Sequence, residues 1–274
     1  MNRRASAYQL VARRVGFTGL ALMVFAALLG MLYTPYDPLH LDIVRRLQPP
    51  SGGHWFGTDQ FGRDVLSRVL TGAAVSLRVS LATVAFAAIA GVILGALAGY
   101  FRGWVDRVIG VFVDAFLALP GILLALVLIA LVGTGETGVV IALGMAYAPS
   151  IARVVRASVL SIREQAYVEA ARLFGHPQWY VICRHVVPNV AGPLTVLVTG
   201  YYAQALLAES TLSFLGLGVP PPHPSWGGIL AEGQAFLADA PWLSVFPGLA
   251  IVVSLLCINL VGDALRDRLD PRKR

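Results

Sequence analysis

The chain has 274 residues, 57% of them hydrophobic and only 13% charged, with a net charge of +6 and a mean hydropathy of +0.72. Soluble chains average about 45–50% apolar and about 25% charged residues, so so little charge cannot coat a soluble globule; a membrane protein is expected, and disorder is excluded. All but one of the 21 basic residues are arginines, and the only lysine, Lys273, follows no Gly-rich turn, which leaves no Walker A site and assigns any use of ATP to a partner.

A helix needs about 20 apolar residues to cross a bilayer. Six stretches qualify: 15–33, about 79–100, 108–132, 139 to about 151, 190 to about 207, and 243–261. The first follows Arg3, Arg4, Arg13 and Arg14, as the apolar part of a signal peptide would. Its run is longer than such a segment and ends in Leu-Tyr-Thr-Pro-Tyr without a small-x-small cleavage site, so it reads as an uncleaved span. The expected organisation is a tail (1–14), a first helix (15–33), an outside loop (34–76), a core of five helices (77–264) and a second tail (265–274).

In the first loop, the Pro/Gly cluster at 49–53 marks extended chain. Phe61, Val65, Leu66 and Val69 then recur at helical spacing, which predicts an amphipathic segment leading into span two, capped by Thr58 or Asp59. Arg63 and Asp64 read as a local charge pair. Span two carries Gly91, Gly95 and Gly99, a tandem GxxxG. Such glycines either admit a close helix neighbour or are incidental, since Gly is common in membrane helices.

Span three contains Asp114 and Pro120. An Asp deep in a membrane helix costs about 2.5–3.5 kcal/mol on insertion scales, so Asp114 is expected to make a polar contact inside the bundle or to relay protons. Pro120 predicts a kink. The inside loop, about 157–188, holds a short helix from Ala166 to Phe174, stopped by Gly175, with Pro177 starting the next segment. A helix this short is marginal alone in water, so flanking spans or another protein must hold it.

With the N-terminus in the cytoplasm, sixteen of the 21 basic residues fall on inner segments, while the first outside loop is neutral and the second, about 208–242, has no basic residue. Both termini are therefore expected inside. The basic excess reports topology, and no basic–aromatic interleaving suggests nucleic-acid binding. Cys183 and Cys257 have no CxxC partner and read as free thiols. His176 and His185 do not have metal-ligand spacing.

Glu169-Ala170-Ala171, three residues, Gly175, nine residues and then His185-Val186-Val187-Pro188 resemble the EAA loop of ABC importer permeases. His185 and Val187 stand where the general pattern has Ile and Leu; the run Arg184-His185-Val186-Val187-Pro188-Asn189 is instead similar to the peptide and nickel importers. Gly57-Thr58-Asp59-Gln60-Phe61-Gly62-Arg63-Asp64, Ser213-Phe214-Leu215-Gly216-Leu217-Gly218 with Pro224-Ser225-Trp226-Gly227, and Asn259 to Asp263 with Asp270-Pro271 resemble further segments of that subgroup, in order along the chain.

The resemblance implies a multi-pass inner-membrane permease of the second-permease type, with a six-helix type I ABC importer fold. It implies a homologous second permease as heterodimeric partner, two cytoplasmic ATPases that bind ATP and Mg, and an extracytoplasmic substrate-binding protein. No cofactor is expected in this chain. Glu169, Ala170, Ala171, Arg172, Gly175 and Pro188 become the ATPase-coupling residues, Glu169 the charged contact. The implied cargo is di- or oligopeptides, with nickel chelates as the alternative. An ion-coupled secondary transporter would want several intramembrane carboxylates, of which only Asp114 presents itself. An intramembrane hydrolase would want a His near Ser210 or Ser213, and none lies in the predicted spans.

Overall fold

The computed structural model describes residues 3–269, with side chains from 11 to 268. Its helices are α1 (Arg3–Leu32), α2 (Val65–Phe101), α3 (Gly103–Leu117), α4 (Gly121–Val132), α5 (Glu136–Arg163), α6 (Ala166–Leu173), α7 (Gln178–Val181), α8 (Val187–Phe214), α9 (Trp226–Gly233) and α10 (Trp242–Leu269). Wider turns at Ile182–Val186 join α7 to α8, so the two form one rod. No strand occurs among the described residues. Five helices are long and apolar enough to cross a membrane, and the pair α3–α4 supplies a sixth crossing if it passes as one.

Most helices outrun the apolar stretches that announce them. The predicted tail 1–14 is continuous with α1 from Arg3 onward. Helix α2 begins fourteen residues before the predicted span, inside the expected loop 34–76. Its 37 residues make about 55 Å, against a hydrocarbon core of about 30 Å, so one end must project from the bilayer. Its cap is Asp64, which accepts from the Ser67 amide at 2.8 Å; neither Thr58 nor Asp59 plays that part, and Phe61 precedes the helix. Helix α5 likewise continues past Ile151 to Arg163, with Arg153 and Arg156 ion-paired to Asp114 and Asp106 of α3. The expected coupling loop 157–188 therefore begins as helix.

The third predicted span is two helices. α3 and α4 meet at 99° across Ala118–Pro120. Pro120 has no N–H to continue the ladder of α3, and its carbonyl instead accepts the first bond of α4, from Leu124 at 3.0 Å. The kink expected there is a full break. Residues 270–274, with Asp270, Pro271, Lys273 and two arginines of the predicted tail, lie outside the described residues.

Helix α2 is the axis of the packing. Near its start, Val65, Val69 and Ala73 join Leu206, Trp226, Ile229, Leu243 and Ile258 in one buried cluster. Midway, Val75 and Val79 pack with Ala125, Ile129, Val139, Leu143 and Leu212. Towards its end, Ala96 and Tyr100 pack with Ile151, Val155, Val159, Val168, Val181 and Val190. The glycine ladder lies against α5. A Cβ at Gly91 would meet Ile151 Cβ at 2.7 Å, one at Gly95 the Ala152 carbonyl oxygen at 2.5 Å, and one at Gly99 the Arg156 carbonyl oxygen at 2.9 Å. The two backbones pass too closely for any side chain there, which is what small residues four apart permit.

Candidate functional site

Three polar features stand on this scaffold: the loop from α5 to α8, a charged stripe between α3 and α5, and a cap at the N-terminal end of α2.

The loop folds around α6. Gln165 opens the helix, its carbonyl accepting from the amides of Val168 (3.0 Å) and Glu169 (3.2 Å). Gly175, at φ +79°, closes it: the Gly175 amide donates to Arg172 O at 2.9 Å and the His176 amide to Ala171 O at 3.4 Å. This is a Schellman stop, which needs a left-handed residue that glycine supplies. Val168 and Ala171, three apart, point into the cluster around Tyr100 and Val159. The Arg172 guanidinium lies 4.8 Å from the Tyr100 ring centre, and that of Arg163 lies 5.6 Å away and donates to the Tyr100 carbonyl. Arg102 pairs with Glu164 at 2.6 Å. α6 is thus seated on the ends of α2 and α5.

The other face of α6 is free. Glu169 is exposed, Ala170 half-buried, and Leu173 and Phe174 are 83% and 82% exposed. Tyr167 and Trp179 are exposed beside them. Pro188 sits in the first turn of α8, directly after the wider turns at Ile182–Val186. A helix fixed on one face, with an acid and large apolar side chains on the other, can receive a partner and pass its movement into α5 and α8.

On the same half of the molecule, Arg153 of α5 pairs with Asp114 at 2.6 Å, and Arg156 grips Asp106 through two bonds of 2.5 and 2.6 Å. With Arg107 and Gly110 these residues line a cavity of about 360 Å³. Asp114 does make a polar contact, but on an open face: its side chain is 71% exposed and that of Arg153 59%. Within this chain the pair is open and not enclosed in the bundle as expected. An ion pair left open along a spanning helix demands water or protein beside it, since lipid solvates it poorly.

The cap explains the Gly57–Arg68 run residue by residue. Gly57 and Gly62 both have positive φ, and a Cβ on Gly62 would strike the Asp42 carbonyl. The Thr58 hydroxyl donates to Arg45 O and accepts from the Gln48 amide. Asp59 accepts from the amides of Phe61 and Arg63 and from Arg63 Nε at 2.6 Å. Arg63 therefore pairs with Asp59, and not with Asp64 as expected; Asp64 accepts from Ser67 and bonds His54 Nδ1 at 2.9 Å. Arg63 and Arg68 both reach Glu232 of α9, at 2.5 and 2.9 Å. The Trp226 indole donates to Val69 O and that of Trp242 to Thr58 O. These bonds clamp α2, α9 and α10 together.

One group escapes the sequence reading altogether. Glu209 is fully buried in α8, whereas it reads from the sequence as part of a loop starting near Ala208. It is a carboxylate buried within a helix long and apolar enough to cross a membrane. Its signal was the run Glu209-Ser210-x-x-Ser213, which places a hydroxyl one turn after the acid.

Residues 91–274 match the family of binding-protein-dependent transport system inner membrane components. A protein of Brucella suis biovar 1, named for a peptide transport system permease, is 48% identical over 94% of this chain and 87% of its own length. The glutathione transport system permease protein of Escherichia coli O6:K15:H31 is 40% identical over 92% of this chain and 83% of its own. The dipeptide transport system permease protein of Alkalihalophilus pseudofirmus is 38% identical over 97% and 88%. Among solved structures, a chain of the MetNI methionine ABC transporter in an inward-facing conformation superposes with a TM-score of 0.60 at 18% identity, covering 74% of this chain and 96% of that one. That likeness is one of fold, the type I ABC importer permease fold. The chain belongs to the inner-membrane permeases of binding-protein-dependent ABC importers.

Proposed function

We propose that this chain is one of two homologous permeases in an ATP-driven importer of short peptides, with α6 as its coupling helix. Two cytoplasmic ATPases supply the ATP and Mg sites, and an extracytoplasmic binding protein delivers cargo to the cap. The observation that carries this reading is the two-faced α6, with Val168 and Ala171 locked in the bundle and Glu169, Leu173 and Phe174 left bare. In this arrangement Gly175 sets the bend, Pro188 marks the entry to α8, and Arg172 ties the helix to Tyr100. The open Asp114–Arg153 stripe faces the aqueous path or the second permease. Peptide cargo rests on the names of the relatives.

In the same reading both termini and α6 are cytoplasmic and the cap is external. Single cysteines test this in a background without Cys183, which is exposed, and Cys257, which is buried. Ser51 and Gln165 are both exposed. Ser51→Cys is expected to react with an impermeant maleimide on intact cells, and Gln165→Cys only after permeabilisation. The reverse pattern would contradict the topology.

A further inference from the structure

A cavity of about 850 Å³ opens where α1 ends and α2 begins, within the size range of small-molecule sites. Tyr33, Tyr36 and Trp55 line it with aromatic rings. Leu29 of α1 and Leu66 and Leu70 of α2 line it with apolar side chains. Asp64 is the one charged side chain among the described residues that line it. Beside the cavity α1 and α2 close together, so that a Cβ on Gly30 would strike the Leu70 carbonyl.

Hydrogen bonds build its walls. The Tyr36 amide donates to Ser67 Oγ at 3.1 Å, and that hydroxyl donates to Asp64 at 2.7 Å. The Tyr36 hydroxyl donates to Gly53 O at 2.7 Å, and the Tyr36 ring packs on the His54 ring at 4.7 Å. His54 Nδ1 bonds Asp64 at 2.9 Å. The turn that carries Trp55 is fixed by the amides of Ser51 and Gly57, which donate to His54 O at 2.8 and 2.9 Å. Gly52 and Gly53 also line the cavity, and a Cβ on either would meet nothing within 4 Å. Side chains there would crowd the opening and nothing else.

Tyr33 and Trp55 are 69% and 70% exposed, at the level where the apolar run 15–33 ends. Aromatic rings of this kind gather at the bilayer surface. A belt that only anchors needs neither a cavity nor an acid; here the rings surround an opening that a carboxylate also lines. Ring faces and a carboxylate attract an ammonium group and disfavour a headgroup whose only charge is its phosphate. We propose that the cavity holds the ammonium headgroup of an aminophospholipid, with the glycerol and first methylenes against Leu29, Leu66 and Leu70. On the topology proposed above, that lipid belongs to the outer leaflet. The site uses neither cargo nor ATP, so it goes beyond peptide import and does not depend on it.

The probe is phosphatidylethanolamine carrying a photoreactive diazirine near its glycerol, added to the purified, delipidated permease complex in detergent. Cross-links are expected in residues 29–36 and 64–70, mapped by mass spectrometry. Unlabelled phosphatidylethanolamine should displace the probe at about a tenth of the concentration that phosphatidylglycerol needs. Asp64→Asn keeps a capping side chain and should bring the two concentrations to within about twofold. Trp55→Leu should weaken phosphatidylethanolamine about three- to fivefold. Gly53→Leu should abolish the cross-links and leave thermal unfolding of the complex unchanged, since its Cβ meets nothing within 4 Å. These two variants decide the matter should Asp64→Asn fail to assemble. Equal displacement by the two lipids in the parent would overturn the site, as would absence of cross-links in both segments. So would Gly53→Leu cross-linked like the parent, or Asp64→Asn keeping the full preference. A dipeptide that displaced the probe at the concentration of phosphatidylethanolamine would make this a site for cargo amines and overturn the lipid.

Discussion

Glu169→Arg is expected to release the ATPases from the permease pair, or to leave them hydrolysing ATP without peptide uptake, while the spans remain inserted. Glu169 is exposed on the free face of α6, and no ion pair within the chain is described for it. Leu173 and Phe174 flank it with apolar surface, so a docked partner excludes water around the carboxylate and must offer it a cation or donors. Reversing the charge in such a setting costs about 2 kcal/mol or more, roughly thirtyfold in affinity. Glu169 also lies in the first turn of α6, where an acid favours the helix dipole by about 0.3–1 kcal/mol. Glu169→Gln separates the two effects: it removes the dipole term without introducing repulsion and should weaken docking far less than Arg. Co-purification of the ATPases and peptide-stimulated hydrolysis read the outcome. Unchanged docking and coupling in Glu169→Arg would refute the role given to this residue.

Arg68→Ala is expected to be the most damaging single change in the cap. Arg68 is 1% exposed, and its guanidinium lies between Glu232 at 2.9 Å and Asp59 at 3.5 Å. Removing it leaves two carboxylates facing Arg63 alone. Breaking a buried ionic group by deleting one partner costs about 3–5 kcal/mol, because the remaining charge is stranded. Thermal unfolding of the purified permease pair should show a clear loss for Arg68→Ala. Glu232→Ala should cost less, since Glu232 is 30% exposed and water can replace it. The double variant Arg68→Ala/Glu232→Ala should be more stable than the sum of the two losses, as expected of groups that share one network. Additive losses would show that the two side chains do not act together.

The outcome at α6 shows where local sequence is sufficient. Ala166 to Phe174 was legible as a helix with Gly175 as its stop, and the structure places the helix at Ala166–Leu173 with Gly175 in the left-handed conformation. Start and stop are both written within a dozen residues. Five of the six spans were legible in place and order but not in length, and the third is broken in two. Apolar runs end where arginines begin, yet Arg153 and Arg156 stay helical because acids on α3 neutralise them. The start of α2 was hidden for a related reason: Ser67, Arg68 and Ser76 look like loop until their partners are known. Those partners lie far along the chain. Arg63 and Arg68 meet Glu232, and Ser76 meets the Trp226 amide, pairings that no local pattern encodes. Pro120 announced a kink, but the 99° break there, between an α3 tied to α5 by Asp106 and Asp114 and the separate helix α4, was not legible.

The cap and the coupling loop occupy opposite ends of α2 and of the α7–α8 rod. In the proposed importer, force would enter at α6, pass through the close α2–α5 packing and the rod, and open or close the end clamped by Glu232. This account makes ATP, and not an ion gradient, the source of work. Peptide uptake into proteoliposomes holding this chain, its partner permease and the ATPases, with binding protein on the cap side, tests that most directly. Uptake should require ATP on the α6 side and persist when the proton gradient is collapsed. Uptake driven by a proton gradient without ATP or the ATPases would contradict it.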